Sequence, residues 1–436
     1  MSIEMLTLLF FGTLLLFVFL GVPLTFVLGG VSVVFLYFTW GADAFYMVAS
    51  QIWGTMESST LVAIPLFVFM AMVLERTGVA KDLYHMMHLW WGGLRGGLAI
   101  GTLGICALFA AMCGISGAAV VAMGTIALPS MLERGYDKKL ALGVINTGGG
   151  WGILIPPSIL MILYSLITGV SVGQMFAAGV LPGLLLMVLT VLYIVVRCAF
   201  QPNLAPALPK EERGNMAEKM RALRAVILPI LIVVMVLGSI IKGITTPTEA
   251  AAVGVFGSLL SAIVYRKLTL GLMREAALRT FKLTGMIMWI LFAAHAFSAA
   301  YQSMGAQALI EGLMTSIPGG PWAIIISMMV IVFLLAMVLD PVGIMLITLP
   351  VFMPIVQSLG FDPIWFGILF VINMEIGYMT PPFGFNLFYL KGVAPPDVSM
   401  RDIYSSVIPF VIVEIIGLAL IMMFPEIATY LPQALF

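Results

Sequence analysis

Two carboxylates stand where the surrounding sequence would exclude them. Asp340 lies in Val-Leu-Asp-Pro-Val and Glu375 in Asn-Met-Glu-Ile-Gly, each inside a long apolar run. A charge near the middle of an apolar span is costly and is generally tied to function. Asp340 precedes Pro341, so it either ligates or balances a cation or caps a helix opening at the proline. Glu375 has three candidate roles: a cation or proton site, a partner for an amino group on a zwitterionic substrate, or a buried acid held neutral or paired.

The other reactive side chains do not assemble into an enzyme. His85 and His88 fall three apart beside Lys81 and Asp82, the pattern of a solvated helix face. His295 is set in an apolar run, as a relay group or as a histidine bonded to a backbone carbonyl. Cys106, Cys113 and Cys198 have no metal or disulfide spacing. No Gly-Lys dipeptide occurs, which excludes a P-loop, and there is no HExxH. The single GxSxG, Gly169 to Gly173, joins two apolar runs rather than a strand and a helix.

What remains is backbone chemistry. Glycine and proline break the apolar runs at 113–117, 146–157, 338–343 and 373–382. Irregular backbone at membrane depth is tolerated only where it is buried in protein or lines a cavity. Carbonyls freed at half-helix C-termini coordinate small cations, and half-helix N-termini attract anions. These breaks repeat at an offset of 225: Pro129 on Pro354, Gly135 on Gly360, Asp137 on Asp362, Gly152 on Gly377, Pro157 on Pro382 and Tyr164 on Tyr389. Matched interruptions in two halves point to the binding region of a secondary transporter.

The elements that carry these breaks are membrane spans. Of 436 residues, 62% are hydrophobic and 9% charged, and the mean hydropathy is +1.15. Soluble domains carry about 25% charged residues. The net charge of zero gives no support to nucleic-acid binding. The start, Met-Ser-Ile-Glu, has no basic region, so Met5 to Leu20 reads as a retained span. Leu6 to Phe38 divides into two spans at Gly21-Val-Pro23, and Thr60 to Leu74 forms a third. Arg76 to Arg95 reads as a basic loop with a surface helix carrying Trp90 and Trp91. Ser171 with Gln174, Thr246 with Glu249 and Ser399 with Asp402 read as helix-opening capping boxes, the bland role for Glu249.

The expected organisation is an all-α polytopic membrane protein of two inverted structural repeats. The first, 1–200, holds scaffold spans, a hairpin at about 96–133 and a broken helix at about 140–166. A hydrophilic cytoplasmic linker covers 201–224. The second, 225–436, holds a hairpin at about 322–359 and a broken helix at about 364–390. Basic residues mark cytoplasmic loops. Arg134, Lys138 and Lys139 follow the first hairpin, whereas 360–364, their echo, holds no Lys or Arg. Residues 41–58 hold none, whereas their echo carries Arg266, Lys267, Arg274, Arg279 and Lys282. The bias therefore flips between halves, with Lys242 as an exception. Inversion requires an odd number of crossings per half. Five spans and one re-entrant hairpin satisfy this, with both termini periplasmic, although each hairpin could instead be a pair of short spans.

The segments GGGWGILIPPSI, LDPVGIMLITLP and EIGYMTPPFGFNLF resemble the signature segments of the large membrane subunit of TRAP (tripartite ATP-independent periplasmic) transporters. The resemblance covers essentially the whole chain. It implies an elevator-type symporter of the bacterial inner membrane, driven by a sodium gradient and importing a small organic anion. It also implies two partners: a small four-helix membrane subunit and a periplasmic substrate-binding protein. Sodium is then the coupling ion, held mostly by backbone carbonyls, and no cofactor is needed. By this resemblance Gly114, Ser116, Asn146 and Gly150 form one sodium site, and Asp340, Gly343, Gly377 and Thr380 the other. Substrate would sit near Ser116, Thr147, Asn373, Pro157 and Pro382, with Glu375 at hand. The chain departs from the family pattern at Cys113 and Ile115, where hydroxyls are usual. It also departs at Gly150, where Thr is common, and at Glu375, where a small residue is common. A stand-alone sodium- or proton-coupled anion symporter, a channel and a membrane-embedded enzyme scaffold are the competing readings.

Overall fold

Glycine, proline and short polar side chains set the helix ends, and the apolar runs between them form helices. A computed structural model describes residues 2–209 and 212–436, so residues 210 and 211 of the linker lie outside the described residues. In the first half, Gly21 and Pro23 separate α1 (Ile3–Phe19) from α2 (Leu24–Trp40). Next come α3 (Asp43–Met56), α4 (Ala63–Thr77) and α5 (Val79–Trp91). The hairpin is α6 (Gly97–Cys113) and α7 (Ser116–Glu133), and the broken helix is α8 (Lys138–Gly150) and α9 (Ile159–Thr168). α10 (Val172–Phe200) closes this half, and the linker forms α11 (Met216–Ala222).

The second half opens with α12 (Arg224–Ile241), α13 (Pro247–Val264), α14 (Leu270–Ser303) and α15 (Ala306–Thr315). Its hairpin is α16 (Gly320–Ala336) and α17 (Pro341–Ser358), and its broken helix is α18 (Pro363–Tyr378) and α19 (Phe385–Val393). α20 (Met400–Met423) and α21 (Glu426–Leu435) finish the chain. No strand occurs among the described residues. Among the described residues eight helices are long and apolar enough to cross a membrane, and further apolar helices are shorter. The chain is thus an all-α, multi-pass membrane protein.

Three features differ from the sequence expectation. Arg274, Arg279 and Lys282, counted above among the residues of a basic loop, lie inside the 34-residue α14, because nothing after the Thr269 cap interrupts the helix. α21 was not anticipated; Pro425 separates it from α20. The linker is docked rather than loose. Its Leu204 and Ala205 carbonyls accept bonds from the Asp137 and Gly96 amides, and Ala205 and Leu208 are buried. Of the capping boxes, those at Thr246 and Ser399 are complete, whereas Ser171 only accepts from the Gln174 amide.

The contacts are reciprocal between halves. α2 packs on α14, and α13, its counterpart at the 225 offset, packs on α4. α7 packs on α19 as α17 packs on α9, and α8 on α20 as α18 on α10. A separate apolar cluster joins Phe10 and Leu14 of α1 and Val27 and Leu28 of α2 to Phe297 and Ala300 of α14. The hairpins and broken helices belong to the main core.

Candidate functional site

Each hairpin tip lies against backbone of a broken helix. At the first tip, α6 ends on Gly114 in the left-handed conformation (φ 62°), Ile115 is extended, and α7 begins at Ser116. A side chain is excluded at Gly114 twice over: φ is positive, and a Cβ would stand 2.5 Å from the Pro157 carbonyl oxygen. From the other side, a Cβ on Gly152 would stand 2.8 Å from the Ile115 carbonyl carbon and oxygen. The tip therefore sits in the gap between α8 and α9, close to Pro157. The Ser116 hydroxyl donates to Asn386 Oδ1 at 2.5 Å, and both residues are buried. Asn386 belongs to α19, so this cluster draws on both halves.

The second cluster is built on Asp340, the N-cap of α17. Its Oδ2 accepts from the Val342 amide at 3.0 Å, and its Oδ1 accepts from the Tyr378 hydroxyl at 3.5 Å. Gly377 lies against Ala336, the last residue of α16, where a Cβ would collide. Asp340 thus does cap a helix, and the same carboxylate reaches the end of α18. The Thr380 hydroxyl bonds the Ile376 carbonyl of its own helix at 2.6 Å. Gly343 faces Leu24 of α2, so its missing side chain makes room for a scaffold helix.

The remaining sequence candidates divide. Asn373 is committed to α16, its Nδ2 donating to the Met329 carbonyl at 2.5 Å. The Pro382 carbonyl accepts from the Tyr404 hydroxyl at 2.9 Å. Thr147 has only the sulfur of Met379, at 3.9 Å. Asn146 is fully buried, and neither side-chain polar atom has a partner among the described residues. Gly150 faces the second half rather than the first tip: a Cβ there would stand 3.2 Å from Glu375 Cγ and Oε1. Positions 150 and 375 are themselves one repeat offset apart, so Glu375 occupies the space that its own counterpart leaves open. His295 bonds the Thr55 hydroxyl at 2.7 Å, not a backbone carbonyl.

Sequence reasoning missed two buried polar groups. Asn386 had a signal, one amide in the apolar run of α19. Glu414 had a stronger one, a lone acid in the middle of α20. It is fully buried and accepts from the Trp151 indole at 3.1 Å.

Paired hairpin tips set against paired broken helices, in an all-helical membrane chain, point to a transporter permease. Residues 11–427 match the family described as tripartite ATP-independent periplasmic transporter, DctM component. The chain belongs to that family and is a TRAP transporter large permease. It is 36% identical to the C4-dicarboxylate TRAP transporter large permease protein DctM of Pseudomonas aeruginosa, over 90% of each chain. It is 32% identical to the ectoine TRAP transporter large permease protein TeaC of Halomonas elongata, over 88% of this chain and 89% of that one. In fold it resembles the crystal structure of the Alcanivorax borkumensis YdaH transporter, with a TM-score of 0.64, 14% identity, and coverage of 97% and 99%.

Proposed function

We propose that this chain is the large transmembrane subunit of a sodium-gradient-driven TRAP transporter. It imports a small organic anion, delivered by a periplasmic binding protein, across a bacterial inner membrane. A small four-helix membrane subunit completes the complex. The observation that carries this reading is the placement of each hairpin tip: Gly114–Ser116 against Gly152 and Pro157, and Asp340 and Ala336 against Tyr378 and Gly377. Such junctions present backbone carbonyls to a cation and helix N-termini to an anion.

One sodium ion is held around Gly114, Ser116, Asn146 and Gly150, and another around Asp340, Gly343, Gly377 and Thr380. Gly343 contributes through its backbone, since its Cα is pressed on Leu24. The anion lies between the clusters, near Ser116, Thr147, Asn373 and the helix ends at Pro157 and Pro382. The relatives named for C4-dicarboxylates and ectoine support a small carboxylate as the substrate class.

The reversed charge bias and the reciprocal contacts support two inverted repeats, with the linker cytoplasmic and both termini periplasmic. Transport then proceeds by an elevator motion. The hairpins and broken helices move against a frame that includes α2, α4, α13 and α14.

The test is thermal stability of the purified protein, titrated with sodium against choline at constant ionic strength. A ligand that binds only the folded state stabilises it by about 2.7 kcal/mol at a hundredfold excess over its dissociation constant. We expect a saturable, sodium-specific rise in Tm that Ser116→Ala and Asp340→Asn each weaken. A flat response, in the lone chain and with its small subunit, would refute sodium coupling.

A further inference from the structure

We infer that the turn after α13 and the first turns of α14 form a binding site for a phospholipid with an anionic headgroup. The headgroup lies among Arg266, Lys267 and Arg274, and an acyl chain runs along α13. The site needs only the membrane fold; its leaflet, the cytoplasmic one, rests on the orientation proposed above.

The turn itself is unusual. Arg266 is the one residue other than glycine with a positive φ, 53°, among the described residues. That backbone conformation crowds Cβ and favours glycine. One repeat offset earlier, after α2, the same position is Gly41, with φ 70°. The first half makes this turn without a side chain, and the second makes it with an arginine. No contact within the chain repays the cost, because the Arg266 side chain is exposed and has no ion pair or hydrogen bond among the described residues. A residue held in a costly conformation with its side chain unused points to a ligand outside the chain.

Three more cations share that condition. Lys267, Arg274 and Lys282 are exposed, and their side chains are likewise unpaired among the described residues. Glu275, the one acid of the segment, is already held by Arg76 and Arg279. Asp82 of α5 faces the Tyr265 side chain. Four positive charges within 17 residues therefore lack a counter-charge.

These cations border an apolar groove of about 310 Å³, lined by Phe256, Leu259, Leu260 and Ile263 of α13 with Leu268 and Met273. Lys267 precedes Leu268 and Arg274 follows Met273, so the charge stands at the groove's mouth. Ion pairs of Arg76 with Glu275 and of Glu75 with Arg279 hold this part of α14 at the end of the α4 span. Leu260 and Phe256 lie one and two turns back from the end of α13, so the groove leads from that surface into the bilayer. Leu270 and Phe281 are 87% and 77% exposed beside the cations, as in a helix lying at a membrane interface.

Basic residues alone mark a side of the membrane. Here they sit at the open end of a groove that only hydrocarbon suits. A soluble phosphate would leave the groove empty, and a neutral lipid would leave the cations unpaired; an anionic phospholipid satisfies both. α13 and α14 belong to the proposed frame, so a lipid held here pins the frame to one leaflet.

The test is native mass spectrometry of the purified, delipidated full-length protein. It is titrated with dioleoylphosphatidylglycerol or with dioleoylphosphatidylcholine, which share their acyl chains. We expect one saturable phosphatidylglycerol molecule, bound about tenfold or more tightly than phosphatidylcholine. R266G/K267Q/R274Q should remove the preference, and I263W, which fills the groove, should weaken binding of both lipids. R95Q/R401Q, which removes charge elsewhere, should leave the preference intact. Thermal melts establish folding. R266G alone relieves the backbone, so its loss of lipid cannot be ascribed to a damaged fold. Equal binding of the two lipids by wild type overturns the proposal. So does an equal loss in R95Q/R401Q, or displacement of the lipid by inorganic phosphate. A complex with the small subunit that excludes a lipid the lone chain binds would assign the groove to that subunit, and would overturn it too. No arm reads uptake or sodium, so failure of the transport reading and failure of the lipid site are separate results.

Discussion

Gly114 is the residue on which the first tip depends. Alanine there must adopt a positive φ and set its methyl 2.5 Å from the Pro157 oxygen. We expect Gly114→Ala to cost about 1–3 kcal/mol in local strain and to abolish the sodium-dependent rise in Tm. A thermal melt with and without sodium reads both. Such positions were legible because glycine and proline act through the backbone, and their recurrence at a fixed offset survives any change in the side chains around them. Asp340 and Glu375 were legible as charges out of place. Their roles were not, because a role depends on what lies opposite. Asp340 meets Tyr378 from another helix, and Glu375 meets Gly150 from the other half. Glu414 was within reach of the same argument that singled out Glu375; what the sequence could not supply is that α20 aims it at Trp151.

The broken helices begin alike. Asp137 caps α8 by accepting from the Leu140 amide at 2.9 Å, and Asp362 caps α18 by accepting from Ile364 at 2.6 Å and Trp365 at 3.1 Å. Replacing either by alanine should cost about 1 kcal/mol, the usual value of an N-cap. Additive losses of Tm in the double variant would show that the two ends act independently. Element boundaries at caps were readable because the sequence carries the cap itself. The length of α14 was not, since a charged surface segment and an apolar span look like separate elements when nothing marks their junction. Through 34 residues the helix runs about 51 Å at 1.5 Å per residue, well past the hydrocarbon thickness of about 30 Å.

At the scale of the molecule, a cavity of about 570 Å³ opens between α3, α14 and α17. Gln51, Thr55, His295 and Gln302 line it from α3 and α14, and Leu346 and Gln357 from α17. It touches neither hairpin tip, and in the elevator motion proposed above it lies where the moving helices pass the fixed ones. Cysteines at Gln51 and Gln357, joined by a cleavable thiol cross-linker, should stop uptake, and cleavage should restore it. The three native cysteines are buried, which keeps the labelling selective. Uptake that continues in the linked protein would exclude relative motion at this boundary. The reciprocal packing also bears on how the protein is made. α2 and α4 enter the bilayer early, yet the helices they rest on, α14 and α13, begin only at residues 270 and 247, far later in synthesis. The nascent first half therefore waits among lipids with these faces of α2 and α4 uncovered. It cannot mature until residue 303 has been translated, and a ribosome stalled in the linker leaves a fragment whose unpaired faces mark it for quality-control proteolysis.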